Sequence, residues 1–346
     1  MPLKLPLDWG PPKDWRRVRT IDAHTAGEPL RILVDGFPEI PGDTMAKKRR
    51  FAQSNHDALR TGLMWEPRGH ADMYGCILTE PVTSGADFGV LFMHNEGWST
   101  MCGHGIIAVT KAVLETGVLA TKAPETAIRI DTPAGLVTAT ARIADGRVSS
   151  VRFANVPSYV VARDQLVEVP GTGRARYDLA FGGAYYAYVD AADFGLHCVP
   201  SEAGRLIDVG MRIKRAIMEA MEIVHPFDDS LGFLYGTIFI APARSEEADS
   251  RNVCVFAEGE VDRSPTGTGV SGRLALQFAR GDIRIGETHT VESIIGTRFA
   301  GRVIEETSFG RHAAIIPEVE GTAYITGMHT FCIDPHDPLA EGFLVR

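Results

Sequence analysis

Short apolar runs dominate the chain, and glycine, proline or aspartate residues separate them. Runs of this length, bounded by turn residues, predict β-strands of a sheet or barrel. The predicted strands are Leu30–Val34, Gly89–Met93, Ala127–Ile130, Val151–Phe153, Tyr185–Val189, Ile238–Ile240, Val253–Phe256 and Ala323–Thr326. We therefore expect a strand-rich protein.

Three longer segments carry a helical pattern instead. In Glu202–Ile223 the apolar residues recur with the period of about 3.6 that an amphipathic surface helix requires. The segments that begin at Gly103 and Gly267 are apolar nearly all round, which is typical of helices that are buried on every side. The sequence therefore predicts one surface helix and two central ones. The basic tract Lys47–Arg50 predicts a further helix start that is solvated.

The two apolar helices belong to a repeated unit. Both copies run from a strand through a Gly-x-Gly turn into an apolar helix, which ends at a glycine suited to the C′ position. We infer an internal duplication, with one site between two pseudo-symmetric domains. The predicted domains are residues 1–157, completed by 332–346, and residues 158–331. A shift of 164 residues places Phe92 on Phe256, Glu96 on Glu260, Gly103 on Gly267, Gly105 on Gly269 and Gly117 on Gly281.

Length and composition narrow the class of protein. A chain of 346 residues is longer than one hydrophobic core usually organises, which agrees with two domains. The net charge of −9 argues against nucleic acid as a partner, since phosphate binding needs a basic face. Five scattered cysteines without a CxxC pair indicate a reducing compartment. The chain shows neither a signal-peptide core nor a run of about 18 apolar residues, so we expect a cytoplasmic protein without a membrane partner.

The starts of the two apolar helices carry the candidate chemistry. The first reads MCGHG at 101–105 and the second reads PTGTG at 265–269. A helix N-terminus has unpaired N–H groups and about half a positive charge. Two facing N-termini can grip one carboxylate, and glycines let it approach the backbone closely. The predicted clamp consists of the backbone amides of Gly103, His104, Gly267 and Thr268.

Cys102 is the candidate base at this clamp. The positive helix end is expected to lower the pKa of the thiol from its ordinary value of about 8.5, which would supply thiolate at neutral pH. A thiolate above the Cα of a clamped amino acid can remove its proton, and the clamp disperses the charge that develops. The alternative is a buried core cysteine, the usual role of a lone cysteine. The neighbouring glycines, the histidine and the helix start favour catalysis.

Five segments resemble recurring segments of one family. MCGHG at 101–105 and DRSPTGTG at 262–269 are similar to the two catalytic-loop signatures of the proline racemase superfamily. The other three are DAHTAGEPLR at 22–31, PRGHADMYG at 67–75 and GGAYY at 182–186. The resemblance spans nearly the whole chain. It implies an α/β (α+β) fold of the diaminopimelate-epimerase type, in which two half-barrels each surround a central helix and the active site lies between them.

The second signature departs from that of the racemases in this family, which carry a cysteine at both helix starts. Thr266 takes the second place here, and its hydroxyl is too weak an acid to exchange a proton as a thiol does. Members similar to this chain, with cysteine and then threonine, are trans-3-hydroxy-L-proline dehydratases. The hydroxyl and the Cα proton of that substrate lie on one ring face, so Cys102 alone can remove the proton and protonate the leaving hydroxyl. The expected product of this syn elimination is Δ1-pyrroline-2-carboxylate, with no cofactor and no metal.

Further expectations concern Asp262, Thr266 and the partners of the protein. The resemblance implies that Asp262 binds the ring nitrogen, since an ammonium held between helix ends needs a counter-charge; a solvated loop aspartate is the alternative. Thr266 is expected to help by hydrogen bonding. The expected partner is a small imino acid, and the expected assembly is a homodimer.

Other functions stay open at this point. A proline racemase or 4-hydroxyproline 2-epimerase that tolerates Thr266 uses the same chemistry, and a silent amino-acid-binding protein would keep only the clamp. Residues 267–272 also match the G-x-G-x-x-G pattern of dinucleotide sites, but a polar stretch with a proline precedes them instead of a strand. No metal site is predicted from His94, Cys102 and His104, which lack the spacing of helical metal ligands.

Overall fold

The computed structural model describes residues 9–345 of the chain. Within them, eighteen strands are hydrogen-bonded into one sheet, and five α-helices pack on it or inside it. The architecture is the strand-rich α/β fold that the sequence predicts. All eight predicted strands are confirmed, since each lies inside an observed strand.

The first half-barrel is built mainly from the residues before 155. Its strands are β1 (Arg16–Thr25), β2 (Glu28–Asp35), β3 (Tyr74–Thr79), β4 (Phe88–His94), β5 (Gly97–Ser99), β6 (Glu125–Thr132), β7 (Gly135–Ala144) and β8 (Arg147–Ala154). Its helices are α1 (Met45–Asn55), α2 (Asp57–Met64) and α3 (Gly103–Glu115).

The second half-barrel is contiguous in the sequence. Its strands are β9 (Ser158–Val169), β10 (Gly173–Phe181), β11 (Tyr185–Asp190), β12 (Leu234–Ala241), β13 (Ser250–Phe256), β14 (Glu260–Val261), β15 (Thr288–Glu292), β16 (Arg298–Phe309) and β17 (His312–Gly321). Its helices are α4 (Ala203–Ala220) and α5 (Gly267–Arg280). Strand β17 pairs with β16 on one side and with β9 on the other, which closes the ring of strands.

The two half-barrels repeat one pairing scheme. In the first, β2 runs parallel to β3 and β4 runs parallel to β6. In the second, β11 runs parallel to β12 and β13 runs parallel to β15. Each central helix follows an antiparallel strand pair, β4 with β5 and β13 with β14. The shared scheme supports the internal duplication inferred from the sequence.

The last strand, β18 (Ala323–Ile333), returns to the first half-barrel. It pairs antiparallel with β1 along its whole length, from Thr25 opposite Ala323 to Arg16 opposite Ile333. The predicted domain bounds differ here, because they begin the returning segment at residue 332. An apolar pattern shows that a strand is present but not which strand it pairs with. The division at 157/158, between β8 and β9, stays a prediction.

Helices α3 and α5 lie inside the two half-barrels. Helix α3 packs against β1, β7, β8 and β18, and α5 packs against β9, β10, β16 and β17. The side chains of Ile106, Ile107 and Val109 on α3 are fully buried, and those of Val270 and Leu274 on α5 nearly so. Burial on every side explains why both segments are apolar all round.

The predicted surface helix is confirmed as α4, slightly shorter than Glu202–Ile223. Its apolar face, which includes Leu206, Ile213 and Ile217, packs against β9, β12 and β13 of the second half-barrel. In the part of the chain that the structure describes, no helix has the length and apolarity needed to cross a membrane.

Candidate active site

The N-termini of α3 and α5 meet between the two half-barrels, and a cavity of about 430 Å³ opens beside them. Segments that are far apart in the sequence therefore contribute to one site. The cavity lining includes every residue that the sequence predicts for the site, namely Cys102, Gly103, His104, Asp262, Thr266, Gly267 and Thr268.

The two helix ends touch through glycine. A Cβ atom added to Gly103 would lie 3.2 Å from the Cα of Gly267 and 3.1 Å from Cζ of Phe153. A Cβ atom on Gly267 would lie 3.3 Å from the Cα of Gly103. Residues without a side chain permit this approach, which brings the unpaired N–H groups of both helices to one place. A carboxylate bound there would face two positive helix ends.

Cys102 is the N-cap residue of α3 and has an extended backbone. Its Sγ accepts a hydrogen bond from the Gly105 N–H at 3.3 Å and lies 3.1 Å from Nδ1 of His104. These two neighbours fix the sulfur at the cavity wall, and the side chain is only 5% exposed.

The acidic thiol expected from the sequence is not what the structure shows. Burial raises the pKa of Cys102 well above its ordinary value, although the Gly105 N–H lowers it. The negative charges of Asp262 and Glu28 raise it further. The prediction from the helix end alone was wrong because desolvation of a thiolate outweighs the attraction of the helix N-terminus.

His104 has a defined side-chain environment as well as a place in the clamp. Its ring lies edge-on to Tyr74, with the centroids 4.8 Å apart. Its backbone carbonyl accepts a hydrogen bond from the Thr25 hydroxyl at 2.8 Å. Burial lowers the pKa of His104 to about 4, so its imidazole is neutral at neutral pH. A neutral imidazole next to the Cys102 thiol can accept a hydrogen bond from it.

Thr266 occupies the matching position on α5, but its side chain makes different contacts. Its backbone has φ +68° and ψ 97°, a conformation that β-branched residues rarely adopt. The hydroxyl makes no capping hydrogen bond with α5 and instead donates to Oδ2 of Asp262 at 2.8 Å. Thr266 therefore orients Asp262.

Asp262 is held from two directions and lines the cavity. Its Oδ1 accepts a hydrogen bond from the Ser264 N–H at 2.7 Å, and Thr266 donates to the other oxygen. The side chain is buried, and a buried carboxylate needs a cationic partner, which a ring ammonium can provide. Within residues 9–345, no group of three or more histidine, cysteine, aspartate or glutamate side chains is arranged to hold a metal ion.

The GGAYY segment supports the start of α5. The Tyr186 hydroxyl lies 2.8 Å from Oγ1 of Thr268, and two residues beyond the segment the Tyr188 hydroxyl donates to the Gly269 carbonyl at 2.7 Å. Gly183 has φ +107°, and a Cβ atom there would lie 3.1 Å from Cγ2 of Thr268. Gly183 and Ala184 also line the cavity, so this segment forms part of the wall.

Some cavity-lining residues have little or no signal in the sequence pattern. Glu28 and Tyr74 line the cavity, and their only signal was membership of the segments 22–31 and 67–75. The tract Lys47–Arg50 is in a helix as predicted, but its predicted solvation is wrong for Lys48 and Arg49. Lys48 is buried, whereas Arg49 lines the cavity and donates from Nε to the Trp98 carbonyl at 2.9 Å.

Two relatives carry names that describe hydroxyproline chemistry. A protein of Colwellia psychrerythraea named trans-3-hydroxy-L-proline dehydratase is 48% identical over 95% of this chain and 93% of its own length. A protein of Burkholderia multivorans named 3-hydroxyproline 2-epimerase is 46% identical over 96% of this chain and 99% of its own length. This chain is thus similar over nearly its full length to proteins with two different names.

A solved structure and a family profile agree with these relatives. The crystal structure of a hydroxyproline epimerase from Agrobacterium vitis, with bound trans-4-hydroxy-L-proline, matches with a TM-score of 0.88 at 33% identity. The match covers 95% of this chain and 96% of that one. The sequence profile of the family described as proline racemase matches residues 20–344. The chain therefore belongs to the proline racemase family.

Proposed function

We propose that this protein removes water from trans-3-hydroxy-L-proline and forms Δ1-pyrroline-2-carboxylate. The observation that carries the proposal is the asymmetry of the two helix starts. A thiol lies at one of them, and a threonine that is hydrogen-bonded to Asp262 lies at the other. The C. psychrerythraea relative, named a trans-3-hydroxy-L-proline dehydratase, supports the same reaction.

The substrate binds through its two charged groups. Its carboxylate lies between the N-termini of α3 and α5 and accepts hydrogen bonds from their first backbone amides. Its ring ammonium pairs with Asp262. These contacts hold the ring with the Cα proton toward Cys102, and the clamp stabilises the charge that develops on the carboxylate when this proton leaves.

Elimination then takes place on one face of the ring. Cys102 takes the Cα proton, the electrons of that bond form the double bond between ring carbons 2 and 3, and the C3–O bond breaks. The thiol gives the proton to the departing hydroxyl, which leaves as water, so that the cysteine returns to its starting state. The enamine transfers a proton from nitrogen to carbon 3 and becomes the cyclic imine.

The raised pKa of Cys102 requires a source of thiolate. Asp262 and Glu28 contribute to that rise, and a bound ammonium offsets their charge. Nδ1 of His104, 3.1 Å from Sγ, can accept a hydrogen bond from the thiol, and the Gly105 N–H stabilises the anion. The thiolate is therefore expected to form when the substrate is bound.

Inversion at Cα is the second candidate function. The B. multivorans relative is named 3-hydroxyproline 2-epimerase, and the A. vitis structure is that of a hydroxyproline epimerase. Inversion needs an acid on the second ring face. The hydroxyl of Thr266 is a much weaker acid than a thiol, and it already donates its hydrogen to Asp262. These facts favour dehydration over inversion.

A comparison of three substrates tests the proposal. The purified protein is incubated separately with trans-3-hydroxy-L-proline, trans-4-hydroxy-L-proline and L-proline. Pyrroline formation is followed by absorbance after derivatisation, and inversion is followed by chiral chromatography. Pyrroline from the first substrate alone is the expected result. Inversion of either of the others, without pyrroline from the first, would contradict the proposal.

Thr266→Cys is expected to introduce stereoinversion, because it supplies a thiol on the second ring face. We expect D-proline formation from L-proline in deuterated water to rise by roughly tenfold or more above the wild-type level. Chiral chromatography and mass spectrometry of the Cα deuterium measure it. Thr266→Ser adds no thiol and serves as the matched control. No inversion at all in the cysteine variant would argue against the two-face mechanism.

The homodimer and the cytoplasmic location stay predictions of the sequence.

A further inference from the structure

Glu28 lies in the cavity wall near Asp262, and the mechanism above gives it no direct contact with substrate. It is the first residue of β2, is 1% exposed and reaches from the first half-barrel to the loop that carries Asp262. Its Oε2 accepts a hydrogen bond from the Arg263 N–H at 2.7 Å. Its Oε1 has no hydrogen-bond partner among residues 9–345.

A buried carboxyl oxygen without a partner is costly, and such atoms are rare in folded proteins. The Arg263 guanidinium does not supply the partner, because it lies 3.7 Å from Oε2 and is shared with Asp72. Burial and the charge of Asp262 raise the pKa of Glu28 well above its ordinary value. The surroundings of this carboxyl group therefore favour the arrival of a cation.

The ring nitrogen of an imino acid offers the missing contact. A protonated secondary amine carries two N–H donors and one positive charge. Asp262 already accepts hydrogen bonds from Ser264 and Thr266, one at each oxygen, and keeps limited capacity for the substrate. If Asp262 accepts one N–H of the ammonium, the second N–H needs another acceptor nearby.

We propose that Glu28 is a second substrate-binding carboxyl group, which accepts a hydrogen bond from the ring ammonium through Oε1 while Asp262 accepts the other. This inference rests on the proposed function and adds a specificity-determining residue to its site. One carboxyl group from each half-barrel then recognises a cationic secondary amine. A five-membered ring with oxygen in place of nitrogen has no N–H, so the two carboxyl groups do not increase its binding affinity.

Isothermal titration calorimetry with two ligands tests the assignment. L-proline is compared with (S)-tetrahydrofuran-2-carboxylate, which keeps the ring and the carboxylate but has no N–H. Glu28→Gln is expected to weaken L-proline binding about tenfold, the usual effect of losing a hydrogen bond to a charged group. The same variant should change the affinity for tetrahydrofuran-2-carboxylate less than about twofold, because glutamine keeps an oxygen for the Arg263 N–H.

The matched control is Glu258→Gln, which removes the same charge from an exposed residue of the cavity lining. It is expected to leave both affinities within about twofold, since exposed charges interact weakly. Thermal melting verifies that each variant is folded. Glu28→Asp keeps the charge but moves it back by one methylene group. It replaces the glutamine variant if that variant does not fold. It too is expected to lose more affinity for L-proline than for tetrahydrofuran-2-carboxylate.

The affinity losses of the Glu28→Gln variant for the two ligands decide the proposal. Equal losses for both ligands would overturn it, since Glu28 would then act only by holding the two half-barrels together. An unchanged affinity for L-proline would overturn it as well. A wild-type protein that does not bind L-proline would overturn the assignment too, whereas pyrroline formation from trans-3-hydroxy-L-proline tests the proposed function separately. A loss confined to L-proline supports Glu28 as a substrate ligand.

Discussion

Cys102→Ser is expected to lower the kcat for pyrroline formation by about a thousandfold or more. Serine is also an effective N-cap residue, so α3 should keep its start. The hydroxyl holds its proton far more tightly than a thiol, however, and cannot act as the base at neutral pH. The measurement is the initial rate with saturating trans-3-hydroxy-L-proline.

The control for this variant is Cys332→Ser on β18, whose sulfur lies outside the cavity lining. It is expected to keep the wild-type rate within about twofold, because substitutions away from a site usually have small effects. If Cys102→Ser retains most of the activity, the proposed mechanism is untenable.

Gly103→Ala is expected to lower kcat/KM about a hundredfold through the carboxylate clamp. Its Cβ atom would lie 3.2 Å from the Cα of Gly267 and 3.1 Å from Phe153, so the two helix ends must separate by a few tenths of an ångström. Small displacements of groups that position a substrate have effects of this size. Steady-state kinetics with trans-3-hydroxy-L-proline measures the change.

Gly204→Ala in α4 is the matched control, because its Cβ atom would have nothing within 4 Å. It should leave kcat/KM unchanged and raise the free energy of unfolding by up to about 1 kcal/mol, since alanine favours a helix over glycine. Similar kinetics for the Gly103→Ala and wild-type proteins would show that the two helix ends need not touch.

The fold could be predicted where local pattern determines structure. The period of Glu202–Ile223 and the uniform apolarity after Gly103 and Gly267 reflect how each helix is buried, and this information lies within one segment. The pairing of β18 with β1 could not be predicted in the same way. It depends on contacts between residues about 300 positions apart, which no short run encodes.

In the candidate site, too, features set by local sequence could be predicted and features set by distant segments could not. Gly103 and Gly267 were found because a backbone contact leaves glycine in the sequence at both helix starts. The pKa of Cys102 was predicted in the wrong direction, because burial and the charges of Asp262 and Glu28 come from distant segments. Whether the seven predicted residues act as proposed stays a prediction.

The pairing of β18 with β1 affects the order in which the protein can be assembled. The half-barrel with Asp262 is one continuous stretch that closes on itself through β17 and β9. A ribosome therefore releases a segment able to complete its own ring while the thiol-bearing ring still lacks a strand. Strand β18 can pair with β1 only after residues 323–333 have emerged, so the first half-barrel is completed after the second.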